Sequence, residues 1–223
     1  MSSAEPGGRR QAQAAAERGG RRQAQAAETG RLIIDAARRL FATQGYGATS
    51  IVQIAEEAGV AVPTIYANLG TKLRLLELLN DRIDQEAGVE ELVPQLLACQ
   101  DPEEILALQV RLSRQLNERA GDLVAALRSA ATVEADMAAP YAEGLKRHRN
   151  GMRTTARRLA ELGALQSGVD ESDAAALLDV LLAPDSWAGL TSAHDLSWDA
   201  CETLLHHSLR VLLLMPSLGP RGQ

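Results

Sequence analysis

The chain has 223 residues, a formal net charge of −6 and a mean hydropathy of −0.12, with 46% hydrophobic but only 3% aromatic residues. That length allows one large domain or two unequal ones, and an aliphatic, alanine-rich composition poor in aromatic residues favours helices over sheets. Cys99 and Cys201 have no partner at metal spacing. The longest apolar runs, such as Val211 to Met215, are far short of the ~20 residues of a membrane span, and the N-terminus has no apolar signal-peptide core. The expectation is an all-α, soluble, cytoplasmic protein with no membrane partner, no metal and no other cofactor.

Split along the chain, the charge is uneven. Residues 1–74 carry ten Arg and Lys against six acids, a balance of +4, which leaves −10 for the remainder. An acidic body is repelled by phosphate, so any nucleic-acid contact belongs to the N-terminal third.

Residues 7–17 (GGRRQAQAAAE) and 19–28 (GGRRQAQAAE) are a near-duplication with no large apolar side chain. They cannot build a core, and residues 1–30 read as a flexible basic arm or as a solvated, transiently helical tail. Regular structure is expected from Arg31, where Ile33, Ala37, Leu40 and Phe41 share one helical face that Gly45 can end. Ser50 with Gln53 forms a capping-box signature for a second helix that Gly59 stops. A third, about 61–68, carries Pro63 in its first turn, where a missing N–H is tolerated. Gly70-Thr71 restart a fourth, with Leu75, Leu76, Leu79 and Ile83 on its buried face. Beyond residue 90 amphipathic helices are expected at 102–118, 121–133, 139–162, 171–190 and 197–214, separated by Asp101-Pro102, Gly121, Pro140, Gly163, Gly168 and Pro184.

Residues 51–70 satisfy the steric needs of two helices crossing steeply. Ala55 is small where they touch, Gly59 can take positive φ in the turn, and Ile54, Ala58, Val60 and Ile65 are spaced to lie beneath both. The second helix of such a unit enters the major groove of DNA by its N-terminal residues. That places Val62, Pro63, Thr64, Tyr66 and Asn68 at the candidate interface, with Thr64, Tyr66 and Asn68 exposed to bases, sugar or phosphate. Ser50 and Lys72, at the starts of neighbouring helices, are candidate phosphate contacts, and Ser50 also serves as a plain N-cap.

The block AARRLFATQGYGATSIVQIAEEAGVAVPTIYANLGTKLRLL, residues 36–76, resembles the DNA-binding signature of the TetR family. It departs at Leu69, where the family usually has Phe, and at Ala61, where it usually has a Ser or Thr cap. By that resemblance Thr64, Tyr66 and Lys72 stand at positions the family uses on DNA, and Ser50 at its helix-start phosphate contact. The resemblance also implies an N-terminal three-helix helix-turn-helix domain at 31–75 and a larger helical effector-binding and dimerisation domain at 76–216, followed by a disordered tail, 217–223. The partners implied are double-stranded operator DNA, a second copy of the chain bound through about 171–214, and an unidentified small-molecule effector. Leu177, Leu178, Leu181, Leu182, Leu204, Leu205, Leu209, Val211 and Leu212 give broad apolar faces suited to that dimer. Met137, Tyr141, His148, Met152 and Trp187 are candidate effector-site residues, each also readable as ordinary core or surface.

Neither a Gly-x-Ser-x-Gly elbow nor a phosphate-binding glycine loop occurs, and His206-His207 diverge by about 100° on a helix, so an enzyme is not expected. The reading is a ligand-responsive regulator, most simply a repressor. Its rivals are an activator, a protein that needs its ligand to bind DNA, and a helical module acting through protein contacts alone.

Overall fold

The structure, a computed structural model, describes residues 6–215 without the side chains of 6–18 and Arg22; the expected tail at 217–223 lies outside the described residues. The chain forms two units, Met1–Leu79 and Asn80–Gln223. Among the described residues every regular element is helical, apart from one isolated antiparallel bridge between Leu165 and Leu214.

The first unit holds α1 (Pro6–Gln44), α2 (Ile51–Ala58), α3 (Val62–Asn68) and α4 (Lys72–Asn80). Helix α1 starts 25 residues before the expected Arg31. The duplicated segment consists of Arg, Gln, Ala and Glu, which hold a helix well enough to outweigh about 1 kcal/mol of propensity for each glycine. From Gly19 to Glu28 the described side chains are exposed on every face. Burial begins with Gly30, and Ile33, Ala36, Ala37 and Phe41 then pack with Tyr46, Ile54, Ile65, Leu75 and Leu76. The Phe41 and Tyr46 rings meet at 5.2 Å.

Local signals set the α2–α3 corner. Ser50 accepts the Gln53 N–H while the Gln53 side chain accepts the Ser50 N–H, closing a capping box at α2. Gly59 takes φ 67°, which lets the Val60 N–H reach back to the Ala55 carbonyl at 2.9 Å and turns the chain into α3. A Cβ at Gly59 meets nothing within 4 Å, so Gly59→Ala isolates the backbone term. We expect it to remove about 1 kcal/mol of stability, read as a lower Tm in a thermal melt, with helical content preserved.

The second unit contains α5 (Ile83–Glu86), α6 (Val89–Ala98), α7 (Pro102–Ala131), α8 (Ala135–Glu161), α9 (Glu171–Leu181), α10 (Pro184–Ala188), a π turn (Gly189–Ala193) and α11 (Trp198–Leu213). Helices α7, α9 and α11 begin at side-chain caps supplied by Asp101, Asp170 and Ser197. The expected break at Gly121 is absent. Packing along α7 through Ala120, Leu123 and Leu127 outweighs a single interior glycine. Pro140 likewise lies within α8, at its sixth residue, and Pro94 within α6. The core joins Ile105, Leu106, Ala156, Leu159, Leu178, Trp187, Leu205 and Leu209. Trp187 is fully buried, stacks on Trp198 at 5.7 Å and donates its indole N–H to Ser113 Oγ, which donates to the Leu182 carbonyl at the end of α9.

Candidate functional site

Helix α3 has one apolar anchor, Ile65, fully buried, and presents Pro63, Tyr66, Ala67 and Asn68 to solvent with Thr64 half-buried beside them. Tyr66 is 56% exposed, an unusual place for a large aromatic ring in a chain with three tyrosines. Asn68 turns its amide onto the Thr64 carbonyl at 2.7 Å and so lies along its own helix. Val62 is half-buried at the first position, and Pro63 occupies the first turn, where no N–H partner is required. Ala61 gives α3 no side-chain cap. Ser50 sits exposed at the start of α2, its hydroxyl within the capping box.

Lys72, expected at phosphate, also has partners within the unit. Its Nζ donates to the carbonyls of Tyr46 at 3.0 Å and Thr49 at 2.9 Å and lies 4.1 Å from the centre of the Tyr46 ring. The ammonium therefore pins the loop between α1 and α2, which also sets Ser50 in place. Buried Thr49 continues the brace by donating to the Gly45 carbonyl.

The second unit contains a cavity of about 420 Å³ between α6, α7 and α8. Its walls are mainly aliphatic, including Leu96, Leu112, Leu116, Leu127 and Leu145. Of the five residues expected at an effector site, Tyr141, His148 and Met152 line it; Met137 and Trp187 do not. Met137 is buried in the first turn of α8, and Trp187 is held away by its bond to Ser113 and its stack on Trp198. The sequence reading missed Ser113, Gln109 and Thr155, all buried and all in the cavity wall. Thr155 donates to Gln109 Oε1 at 2.6 Å. The available signal was polar side chains four residues apart, Gln109 and Ser113, within the apolar stripe of α7.

His148 connects the cavity to α9. Its Nε2 lies 3.2 Å from Asp179 Oδ1, within ion-pair range but outside hydrogen-bond geometry. Burial holds its pKa below the ordinary imidazole value, a shift that Asp179 opposes and Arg149 reinforces. A base depressed in the folded state is fully stabilising above its unfolded pKa near 6.5, and that contribution is lost as the pH falls through the window below it. Tm should fall between pH 7.5 and pH 5.5, and His148→Gln should flatten that fall; equal slopes in the two proteins would remove His148 from the account. Among the described residues no cluster of three His, Cys, Asp or Glu is placed to hold a metal, and no helix is long and apolar enough to cross a membrane.

Residues 33–79 match the family model described as bacterial regulatory proteins, tetR family. No curated protein matches the chain by sequence. Solved structures match it in fold. A protein from Saccharomonospora viridis described as a transcriptional regulator, in complex with choline, is 22% identical with a TM-score of 0.69, over 85% of this chain and 100% of its own. The TetR-family transcriptional regulator PfmR from Thermus thermophilus is 21% identical at 0.61, over 81% and 96%. The transcriptional regulator FadR from Bacillus subtilis in complex with stearoyl-CoA is 21% identical at 0.62, over 80% and 96%. Residues 33–79 of the first unit thus match the tetR family of bacterial regulatory proteins, and the chain as a whole shares the fold of solved TetR-family transcriptional regulators.

Proposed function

We propose that the chain is a ligand-responsive transcriptional repressor that binds a palindromic operator as a homodimer and leaves it when a small molecule occupies the second unit. The observation that carries this reading is the face of α3, where Tyr66 stands exposed with Thr64 and Asn68 beside it, on a corner fixed by Gly59 and braced by Lys72. In this reading Thr64, Tyr66 and Asn68 meet bases or backbone, Val62 and Pro63 pack at the groove wall, and Ser50 contacts phosphate from the start of α2. The balance of +4 over residues 1–74 supports placing DNA there rather than on the acidic remainder.

Dimerisation is assigned to α9 and α11. Leu204, Val211 and Leu212 on α11, Met215 just beyond its end and Val180 on α9 are 40–65% exposed. Leu204 and Val211 stand one heptad apart on the same side of α11, with Ser208 between them. Two-fold pairing lets two short recognition helices read one palindrome together. Two residues of the cavity wall touch α9, since His148 faces Asp179 and Ser113 donates to the Leu182 carbonyl at its end. Occupancy that displaced either contact would reach the dimer helix within the same unit. The complexes of the S. viridis protein with choline and of B. subtilis FadR with stearoyl-CoA support a ligand site in this fold.

The test is a titration of the protein against DNA from upstream of its own coding region, at several salt concentrations. A salt-sensitive complex that requires both half-sites of a palindrome is expected. Binding indifferent to the palindrome, or absent at low salt, would overturn the reading. Transcription of a reporter behind that operator fixes the sign, with repression expected.

A further inference from the structure

The cavity of the second unit has a selective interior. Its charged lining residues other than His148, Asp84 and Arg147, neutralise each other at 2.6 Å, and both side chains are half-exposed. The imidazole of His148 is held toward its neutral form by burial. The remaining wall is aliphatic except for a few polar groups, and these differ in what they leave unused. Ser113 is satisfied twice, by Trp187 and by the Leu182 carbonyl. Gln109 is not. It is 97% buried, its oxygen accepts the Thr155 hydroxyl, and its amide nitrogen has no hydrogen-bond partner among the described residues although it stands in the cavity wall.

An amide N–H that opens onto an apolar chamber and has no protein acceptor is a donor that an occupant's oxygen can satisfy. A charged ligand placed there loses its hydration and gains no opposite charge in return. Tyr141 is the single aromatic side chain in the wall, too little to cage a cation on ring faces. We propose that the cavity takes an uncharged, predominantly hydrocarbon molecule bearing one carbonyl or ether-type oxygen, which accepts a hydrogen bond from the Gln109 amide, and that it discriminates against carboxylates and ammonium ions of the same chain length. The proposal deepens the reading of this cavity as the effector site, but its test does not depend on DNA.

The probes are decan-2-one, decanoate and decylammonium, each kept below its micellar or solubility limit and titrated calorimetrically into the full-length protein at pH 7.5. Decan-2-one should bind saturably at one molecule per chain and at least tenfold more tightly than either ion. Gln109→Leu should weaken the ketone about fivefold, the share of one neutral hydrogen bond, while leaving the two ions unchanged. The double change Gln109→Leu with Thr155→Val, which leaves no orphaned hydroxyl, should behave the same way. Filling the chamber by Leu116→Trp or, independently, Val124→Phe should abolish ketone binding, with circular dichroism confirming the helical fold. Equal or tighter binding of either ion, absence of ketone binding, or ketone binding that survives both fillings overturns the ligand class. If the ketone binds as described and operator affinity does not change, the ligand class stands and the effector reading falls. If decanoate binds tightly and releases the operator, the effector reading stands and the ligand class falls.

Discussion

Tyr66→Ala is expected to lower operator affinity at least tenfold and to leave Tm within about 2 °C of the parent, whereas Lys72→Ala should lower Tm by roughly 10 °C. The two residues match the same family signature, and the structure separates them by what each side chain touches. Tyr66 is 56% exposed on α3, so truncating it removes little native packing. If the ring meets sugar, phosphate or a base edge, its loss is worth about 1–3 kcal/mol of binding, a factor of ten or more. Tyr66→Phe then distinguishes stacking from donation by the hydroxyl. Lys72 joins α4 to the α1–α2 loop through two carbonyls and the Tyr46 ring. Removing its ammonium leaves the Thr49 carbonyl without this donor and the Tyr46 carbonyl with the Thr49 N–H alone, and charge-assisted bonds of this kind are worth about 1.5–3 kcal/mol each and do not simply add. A net loss of about 2 kcal/mol in a unit of this size corresponds to the stated shift in Tm. Operator affinity also falls for Lys72→Ala, because Ser50 and the start of α2 lose their anchor. Parallel thermal melts and DNA titrations decide the matter. A Lys72→Ala protein that melts like the parent yet binds DNA weakly would return Lys72 to a direct phosphate contact.

What could be read from the chain without coordinates divides along physical lines. The α2–α3 corner was legible because short-range chemistry dictates it: Ser50 with Gln53 is sufficient to cap a helix, and a residue at φ 67° between Ala58 and Val60 calls for glycine. The start of α7 announced itself similarly through Asp101-Pro102. Gly121 and Pro140 misled, since both read as punctuation and both lie inside helices whose continuity comes from tertiary packing rather than propensity. Helix α6, with Leu92 and Leu96 buried and Pro94 between them, was missed for the same reason. The short α10 and the π turn after it broke what looked like one helix from 171 to 190. In the cavity, three of five expected residues line the wall, but the pairing of Gln109 with Thr155 could not be read. Their pairing spans 46 positions of sequence, and no local pattern encodes a partner that far away. The role of Lys72 was hidden similarly, since its carbonyl partners lie 23 and 26 residues upstream.

Leu204→Asp combined with Val211→Asp should convert a dimer of about twice 23.8 kDa into a monomer of 23.8 kDa, measured by light scattering on an eluting peak. Both side chains are exposed in the single chain, at 44% and 56%, so the substitutions create no cavity and the helices should persist by circular dichroism. Two aspartates per chain in a seam of Val180, Leu212 and Met215 would have to be desolvated against apolar neighbours in the dimer, an effect of several kcal/mol that association through this face could not offset. Operator affinity is expected to fall at least a hundredfold, because a monomer reads one half-site and forfeits the gain from the second, linked contact. Val133→Asp serves as the control, being 62% exposed just beyond α7 and part of neither α9 nor α11. It should leave both mass and affinity unchanged. The two measurements also test each other. If the mass halves but DNA binding survives, the reading of a palindrome by a two-fold pair is wrong even though the interface is right. If the mass does not halve, dimerisation uses another surface, and the exposed face of α11 needs a different partner.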